Sequence, residues 1–553
     1  MDAQQSGKFH ALHSKAKRHA IRAGCALGAS LFVSFNFGAV SAHAASCSDL
    51  ANLNLPNTTI TSATIESGTV EGISGLPSFC RVQATLTPSP TSDIKVEVWM
   101  PVSGWNNDLQ AVGNGGLAGT ISYSAMGPAL KGGYATTSTD TGHSASQNPP
   151  VWLTDPDQER DNGYRAIHLM TVFAKEMVFD FYDSSSRYTY FNGCSTGGGQ
   201  GIGEAQSYPD DYDGILAGAP QIFATHIRAE YIQDFHATTD PANNLPASSL
   251  SILTQAALKT CGDKYAVQDG FLPDPLTCRF DPKVTECRKG QDPSTCLTPA
   301  QVEAARKFYA GLSDPKTHEQ MWPGLMPGSE NSGGGGISSW LARGINGPTP
   351  SAFADFFWGV YDNFNLDFST VDAAAAAKLA DDKFPYIDHI DTNLDAFISK
   401  GHKLLIYHGE ADPLITPRST VDYYGNLVEN TKKRHGDPDD GHAVGELEES
   451  ARLFLVPGMG HCGGGPGPTT FDAFTPLKNW IENRAAPNSI LASRVDSSGA
   501  TTFSRPLCPY PQEATWKGTG DRTDAANWVC VKHRADFDDH FYDYWDKQFG
   551  ISR

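Results

Sequence analysis

The sequence predicts an α/β protein in which a mainly parallel sheet is flanked by helices and interrupted by a large inserted lid. Three observations predict it. Between residues 94 and 220, segments with strand and helix character alternate, the pattern of strands joined by crossover helices. From 221 to 400 the alternation stops, and the chain carries four cysteines, loops such as "GSENSGGGG" and the aromatic run "FADFFWGVYDNFNLDF". It then resumes with "HKLLIYHGEADPLI" and "ARLFLVPGMGHC", each a strand that ends in a loop bearing an acid or a histidine.

The elements follow in order. Residues 1–44 read as a secretory signal, with Lys8, Lys15, Lys17, Arg18 and Arg22 ahead of the apolar "AGCALGASLFVSFNFGAV" and Ala42-His43-Ala44 as a cleavage motif. A retained membrane anchor is the competing reading. A β-rich stretch leads to "IKVEVWMP" (94–101), which alternates like a strand, and "DLQAVGNGGLAG" is a strand entering a glycine loop. "YRAIHLMTVFAKEMVFDFY" (164–182) has apolar residues at helical spacing. "RYTYFNG" is a strand, "GGGQGIGEAQSYP" a helix of small residues, and "YDGILAGAP" the next strand. The expected organisation is a signal at 1–44, a catalytic part at 45–220 and 401–553, and the lid at 221–400.

The chain of 553 residues has a formal charge of −20, and removing five basic residues and one acid with the signal makes it more acidic still. Such a balance favours solubility and excludes nucleic acid and, once the signal is cleaved, an anionic membrane surface as partners. Of 11 cysteines, Cys25 leaves with the signal and an even set remains, which in an exported chain predicts disulfides. Local pairing suits Cys47 with Cys80, Cys261 with Cys278, Cys287 with Cys296, and Cys508 with Cys530. Cys194 and Cys462 are left over.

Those two flank the residues best suited to chemistry. Gly193-Cys194-Ser195-Thr196-Gly197 is a G-x-S-x-G between a strand and a helix, the nucleophile elbow of the α/β-hydrolase fold. Ser195, Asp412 and His461 occur in that fold's order, each just after an expected strand, at the sheet edge where such sites lie. Ser195 is then the nucleophile, His461 its base and Asp412 the residue that orients the imidazole. Glu410 competes with Asp412 for that role, while His408 reads as structural and His143 lies too early in the chain for this topology. An oxyanion needs two N–H donors: Thr196 supplies one, and Gly116 or Gly115 of "GNGG" the other. A Cys194–Cys462 bond would close a loop worth about 5 kcal/mol at most in the chain-entropy treatment, and would tie serine to histidine. Cys194 as a nucleophile is the rival reading.

At these residues the sequence resembles the tannase and feruloyl esterase family, which also includes a mono(2-hydroxyethyl) terephthalate hydrolase. "GCSTGG", "GEADPLI", "PGMGHC", "RPLCPYP" and the ten mature cysteines carry the resemblance, from about residue 47 onward. It implies Ser195, Asp412 and His461 as the catalytic set and a disulfide between Cys194 and Cys462. It implies a serine esterase for a small aromatic ester, feruloyl, galloyl or terephthalate monoester, and the N-terminal signal makes the expected location secreted or periplasmic. Trp340, Phe356, Phe357, Trp358 and Tyr361 of the lid are candidates to stack on that ring, or else to pack the lid's own core, and Ile415 is a further candidate contact. No cofactor is required. The resemblance also implies a structural calcium between two paired cysteines of the lid, but Gly262 and Tyr265 stand where aspartates are expected. Asp263, Asp269 and Asp274 would rebuild six to eight oxygen ligands only with a shifted loop. The alternatives are an inactive binding protein on a hydrolase scaffold and a serine peptidase with the same triad.

Overall fold

The computed structural model describes residues 45–332, 339–435 and 440–532. The expected signal at 1–44 lies outside these residues, as do 533–553 of the expected catalytic part.

Nine strands form one sheet: β1 (Thr58–Val70), β2 (Ile73–Leu86), β3 (Ile94–Pro101), β4 (Asp108–Val112), β5 (Ala135–Thr139), β6 (Tyr188–Cys194), β7 (Gly214–Gly218), β8 (Lys403–Gly409) and β9 (Ala451–Val456). Their order is β1-β2-β3-β5-β4-β6-β7-β8-β9. From β5 to β9 every neighbour pair is parallel. β4 and β7 are buried along their whole length, as expected for parallel strands covered by helices on both faces. At the other edge β1, β2 and β3 pair antiparallel. Glu71 and Gly72, both at positive φ, form the two-residue turn between β1 and β2 that the twist of a hairpin favours.

The flanking helices follow from apolar spacing. In α2 (Ala166–Tyr182), which follows α1 (Tyr123–Lys131), the buried residues Ala166, Ile167, Met170, Ala174, Met177 and Val178 recur at helical intervals. The next helix, α3 (Thr196–Ser207), starts directly at the end of β6. The insertion separates β7 from its parallel neighbour β8. It opens with α4 (Ala224–Thr238), which buries 13 of its 15 residues and is therefore enclosed on nearly all sides. α5 (Ala247–Cys261), α6 (Pro299–Ala310) and α7 (Ala373–Lys383) follow. Thr298 and Gln301 form a capping box at the start of α6, and Asp372 caps α7 through the amide of Ala375.

After β8 and α8 (Pro417–His435), β9 is followed by α9 (Phe474–Asn483) and two small sheets. The second of these pairs Gln512–Trp516 with Trp528–Lys532. Tyr510 donates its amide to the Leu453 carbonyl at 2.7 Å, which fastens the C-terminal region to β9. Among the described residues, no helix is long and apolar enough to cross a membrane.

Candidate active site

Ser195 is the single residue between β6 and α3, with φ 66° and ψ −126°, a conformation that costs a non-glycine residue energy and clusters at functional sites. Its glycine neighbours make the turn possible. A Cβ on Gly193 would lie 2.4 Å from the Gly197 carbonyl oxygen, and one on Gly197 would lie 2.8 Å from the Asn114 carbonyl oxygen.

The loops after β8 and β9 bring Asp412 and His461 to the same sheet edge. Ser195 Oγ donates to His461 Nε2 at 2.9 Å, and His461 Nδ1 donates to Asp412 Oδ2 at 2.7 Å. Asp412 is fully buried. Its Oδ1 accepts from the amides of Leu414 at 2.8 Å and Ile415 at 3.0 Å. His408 Nε2 approaches Oδ2 at 3.2 Å and the Ile415 carbonyl at 2.9 Å; because a carbonyl only accepts, that nitrogen carries a proton. Burial alone would raise the Asp412 pKa, but its electrostatic interaction with His461 and the hydrogen bonds from both histidines reverse that and hold its carboxyl below the usual range. Of the two acids weighed after β8, Asp412 contacts His461. Glu410 is buried, and its carboxyl is pushed well up by that burial and by Asp274 and Glu513.

The glycine loop after β4 packs on the N-terminus of α3. Gln200 and Asn114 exchange two hydrogen bonds at 3.0 and 3.1 Å, and the Thr196 hydroxyl donates to the Gly116 carbonyl at 2.6 Å. Gly116 itself has φ 63°. This loop therefore lies beside Ser195 and is more than an ordinary surface turn. All five disulfides occur: Cys47–Cys80, Cys194–Cys462, Cys261–Cys278, Cys287–Cys296 and Cys508–Cys530. The second joins the residue before Ser195 to the residue after His461 across a separation of 268 residues. A serine linked through an imidazole to a buried carboxylate is able to lose its proton as it attacks a carbonyl carbon.

The expected aromatic contacts need correction. Trp340 is fully buried, stacks on Phe308 at 4.8 Å and donates its indole N–H to Ser329 at 3.0 Å. Phe357 is also fully buried, and Phe356 lies beneath the Arg228 guanidinium at 4.7 Å. Trp340 thus packs a core made by the insertion itself, whereas Phe356 and Phe357 join the main core shared with the sheet and with Trp152 and Leu153. Trp358 and Tyr361 are half-buried, and Trp358 meets Phe364 edge-on. Ile415 is buried, and its main chain serves Asp412 and His408. The aromatic residue that reaches the glycine loop is Phe353: a Cβ on Gly116 would lie 3.5 Å from its ring. Tyr231 adjoins it at 5.6 Å. Phe353 begins the aromatic run read in the sequence, so the segment was visible there and the face it presents was not. His143 stacks on Trp152 at 3.8 Å, and burial lowers its pKa to about 4, in keeping with a structural role.

Two places concern metals. His168, Glu204 and Asp211 bring ligand-type atoms within 4.8 Å of one another, but Glu204 lies near the end of α3 remote from Ser195, and His168 already pairs with Asp211 at 2.6 Å. In the segment where calcium is expected, Asp263 accepts from the Tyr265 amide and Asp274 from the Leu276 amide, while Asp269 is ion-paired with Arg522. These residues do not fit a calcium ion.

A family model described as "Tannase and feruloyl esterase" matches residues 80–531. The chain belongs to this family. An uncharacterized esterase of Xanthomonas campestris is 32% identical over 530 residues, covering 88% of this chain and 91% of that protein. A probable feruloyl esterase B-2 of Aspergillus terreus is 31% identical, covering 82% and 86%. Feruloyl esterase B from Aspergillus oryzae superposes with a TM-score of 0.78 at 27% identity, covering 88% of this chain and 99% of its own. A tannin acyl hydrolase from Aspergillus niger shares the fold, with a TM-score of 0.70 at 19% identity. As a member of the tannase and feruloyl esterase family, the protein is a carboxylic ester hydrolase on an α/β-hydrolase fold.

Proposed function

We propose that the protein is an exported serine esterase acting on small esters of phenolic or aromatic acids: feruloyl, galloyl or terephthalate monoesters. The observation that carries the mechanism is the unbroken chain from Ser195 Oγ through His461 to Asp412, at 2.9 and 2.7 Å. Ser195 Oγ attacks the ester carbonyl carbon while its proton passes to His461 Nε2. Asp412 stabilises the imidazolium that results. The oxyanion is held by the amides of Thr196 and Gly116. The C–O bond then breaks, and the alcohol leaves with the proton from His461. A water molecule gives a proton to the same nitrogen, its oxygen attacks the acyl-enzyme, and the acid is released as Ser195 regains its proton.

Aromatic preference is supported by the half-buried ring of Phe353 at the glycine loop and by the activities in the names of feruloyl esterase relatives. Export is supported by the N-terminal sequence and by five disulfides, which persist in oxidising compartments. The test is hydrolysis of methyl ferulate, methyl gallate, mono(2-hydroxyethyl) terephthalate and p-nitrophenyl acetate by the mature protein and by Ser195→Ala. Turnover of at least one aromatic ester, abolished by the substitution, is the expected result. A folded wild-type protein that turns over none of the four would overturn the proposal in favour of an inactive binding scaffold.

A further inference from the structure

The Cys261–Cys278 segment, where the resemblance implies calcium, holds a different cation. A Cβ on Gly262 would lie 2.2 Å from Ala266 Cβ and 2.4 Å from the Leu258 carbonyl oxygen, so this backbone leaves no room for a carboxylate there. At the other departed position, Tyr265 presents a ring, and the Arg522 guanidinium lies 3.9 Å over it. Arg522 also ion-pairs with Asp269, both side chains being 13% exposed. Arg494 donates to the Asp269 carbonyl at 3.1 Å and to the Pro466 carbonyl at 2.9 Å, and Arg505 sits 5.3 Å from the Phe271 ring. Three guanidinium groups thus gather around Asp269, and their field opposes a divalent cation.

The same stretch touches the loop that carries His461. A Cβ on Gly458 would lie 2.5 Å from Phe271 Cβ, and one on Gly270 would lie 3.3 Å from Pro466 Cβ. Gly458 and Pro466 stand on either side of His461 in the sequence. We propose that the Arg522 guanidinium takes the place of a bound calcium ion in the Cys261–Cys278 segment: it ties that segment to the loop between Gln512–Trp516 and Trp528–Lys532, and through Asp269–Phe271 it braces the His461 loop. Arg522 is a positioning residue. Its brace rests on the proposed role of His461; the replacement of calcium does not.

The experiment is thermal unfolding, together with kcat and KM on p-nitrophenyl acetate, for the wild type, Arg522→Ala and Arg522→Lys, each with excess EDTA and with calcium chloride. The wild-type Tm and kcat stay the same in EDTA and in calcium. Arg522→Ala lowers Tm, and kcat falls roughly threefold to tenfold with KM nearly constant. Calcium does not restore either quantity, whereas lysine restores part of both. A wild-type Tm that drops in EDTA and returns with calcium would overturn the replacement. A lowered Tm with unchanged kcat in both variants would overturn the brace. The Tm results stand even if the esterase proposal fails.

Discussion

Arg343, in the insertion, donates through Nη1 to the main-chain carbonyl of Leu414 at 2.8 Å, two residues beyond Asp412. The Leu414 amide in turn donates to Asp412 Oδ1 at 2.8 Å, so one residue links the insertion to the acid of the candidate triad. Arg343 is fully buried. It pairs with Glu230 at 2.6 Å and Asp234 at 2.5 Å, both on α4, and lies 4.4 Å over the Tyr231 ring. The insertion therefore supports the active-site edge from behind as well as bordering it.

Arg343→Gln is expected to destabilise the protein by about 3–5 kcal/mol, because it leaves two carboxylates buried without their cation. It should lower kcat as well, by loosening the Asp412 loop. Arg343→Lys should fail to rescue it, since an ammonium cannot reach both carboxylates and the Leu414 carbonyl as a planar fork does. Denaturant unfolding and steady-state kinetics check both points; wild-type kcat in a folded Arg343→Lys protein would contradict the linkage.

Removing the Cys194–Cys462 bond by the double substitution Cys194→Ser, Cys462→Ser should lower stability by at most about 5 kcal/mol. Because the bond limits the separation of Ser195 and His461, kcat should fall more than KM rises. Equal kcat in the double variant would assign the bond to stability alone.

Phe353→Ala should reduce kcat/KM for aromatic esters by roughly twofold to tenfold, the range of one aromatic contact, and leave p-nitrophenyl acetate hydrolysis nearly unchanged. Trp340→Ala should do the reverse, lowering Tm by removing about 3–5 kcal/mol of core packing without changing the ratio between the two substrates. Melting curves and a two-substrate comparison separate these roles.

Stability should also fall between mildly acidic and mildly alkaline pH. Asp388 accepts from the amide and hydroxyl of Thr225 at 3.0 and 2.9 Å. Burial, with the charge of Asp381, pushes its pKa up to about 7, above an unfolded value of about 3.9. A raised carboxyl binds its proton more tightly in the folded state, so its contribution is complete below the unfolded value and is lost as pH rises through about 7. Tm should therefore be higher near pH 5.5 than near pH 8, and Asp388→Asn should flatten that slope. The same slope in both proteins would assign it to other groups.

The elements that carry chemistry were legible because their signals are local. "RYTYFNG" runs straight into Gly193-Cys194-Ser195, and the strands before Asp412 and His461 are short apolar runs that end in loops. β3 was legible as the alternating run at 94–101, but β1 and β2 appeared only as a β-rich stretch, because their pairing is set by the turn at Glu71 and Gly72 and by burial. Trp340 and Phe353 look alike in composition, and only tertiary packing sends one into the core and the other to the glycine loop. Arg343 and Arg522 gave no signal, since each acts through partners more than 70 residues away in the chain, Glu230 and Asp269 among them.

The most direct measurement is peptide mapping by mass spectrometry after the mature protein is treated with a fluorophosphonate, which reacts only with an activated serine. A single adduct on the peptide containing Ser195, absent from His461→Ala and from heat-denatured protein, is the predicted result. No adduct on the folded wild type, or an adduct on another serine with Ser195 unmodified, would contradict the assignment of Ser195, His461 and Asp412 as one catalytic unit.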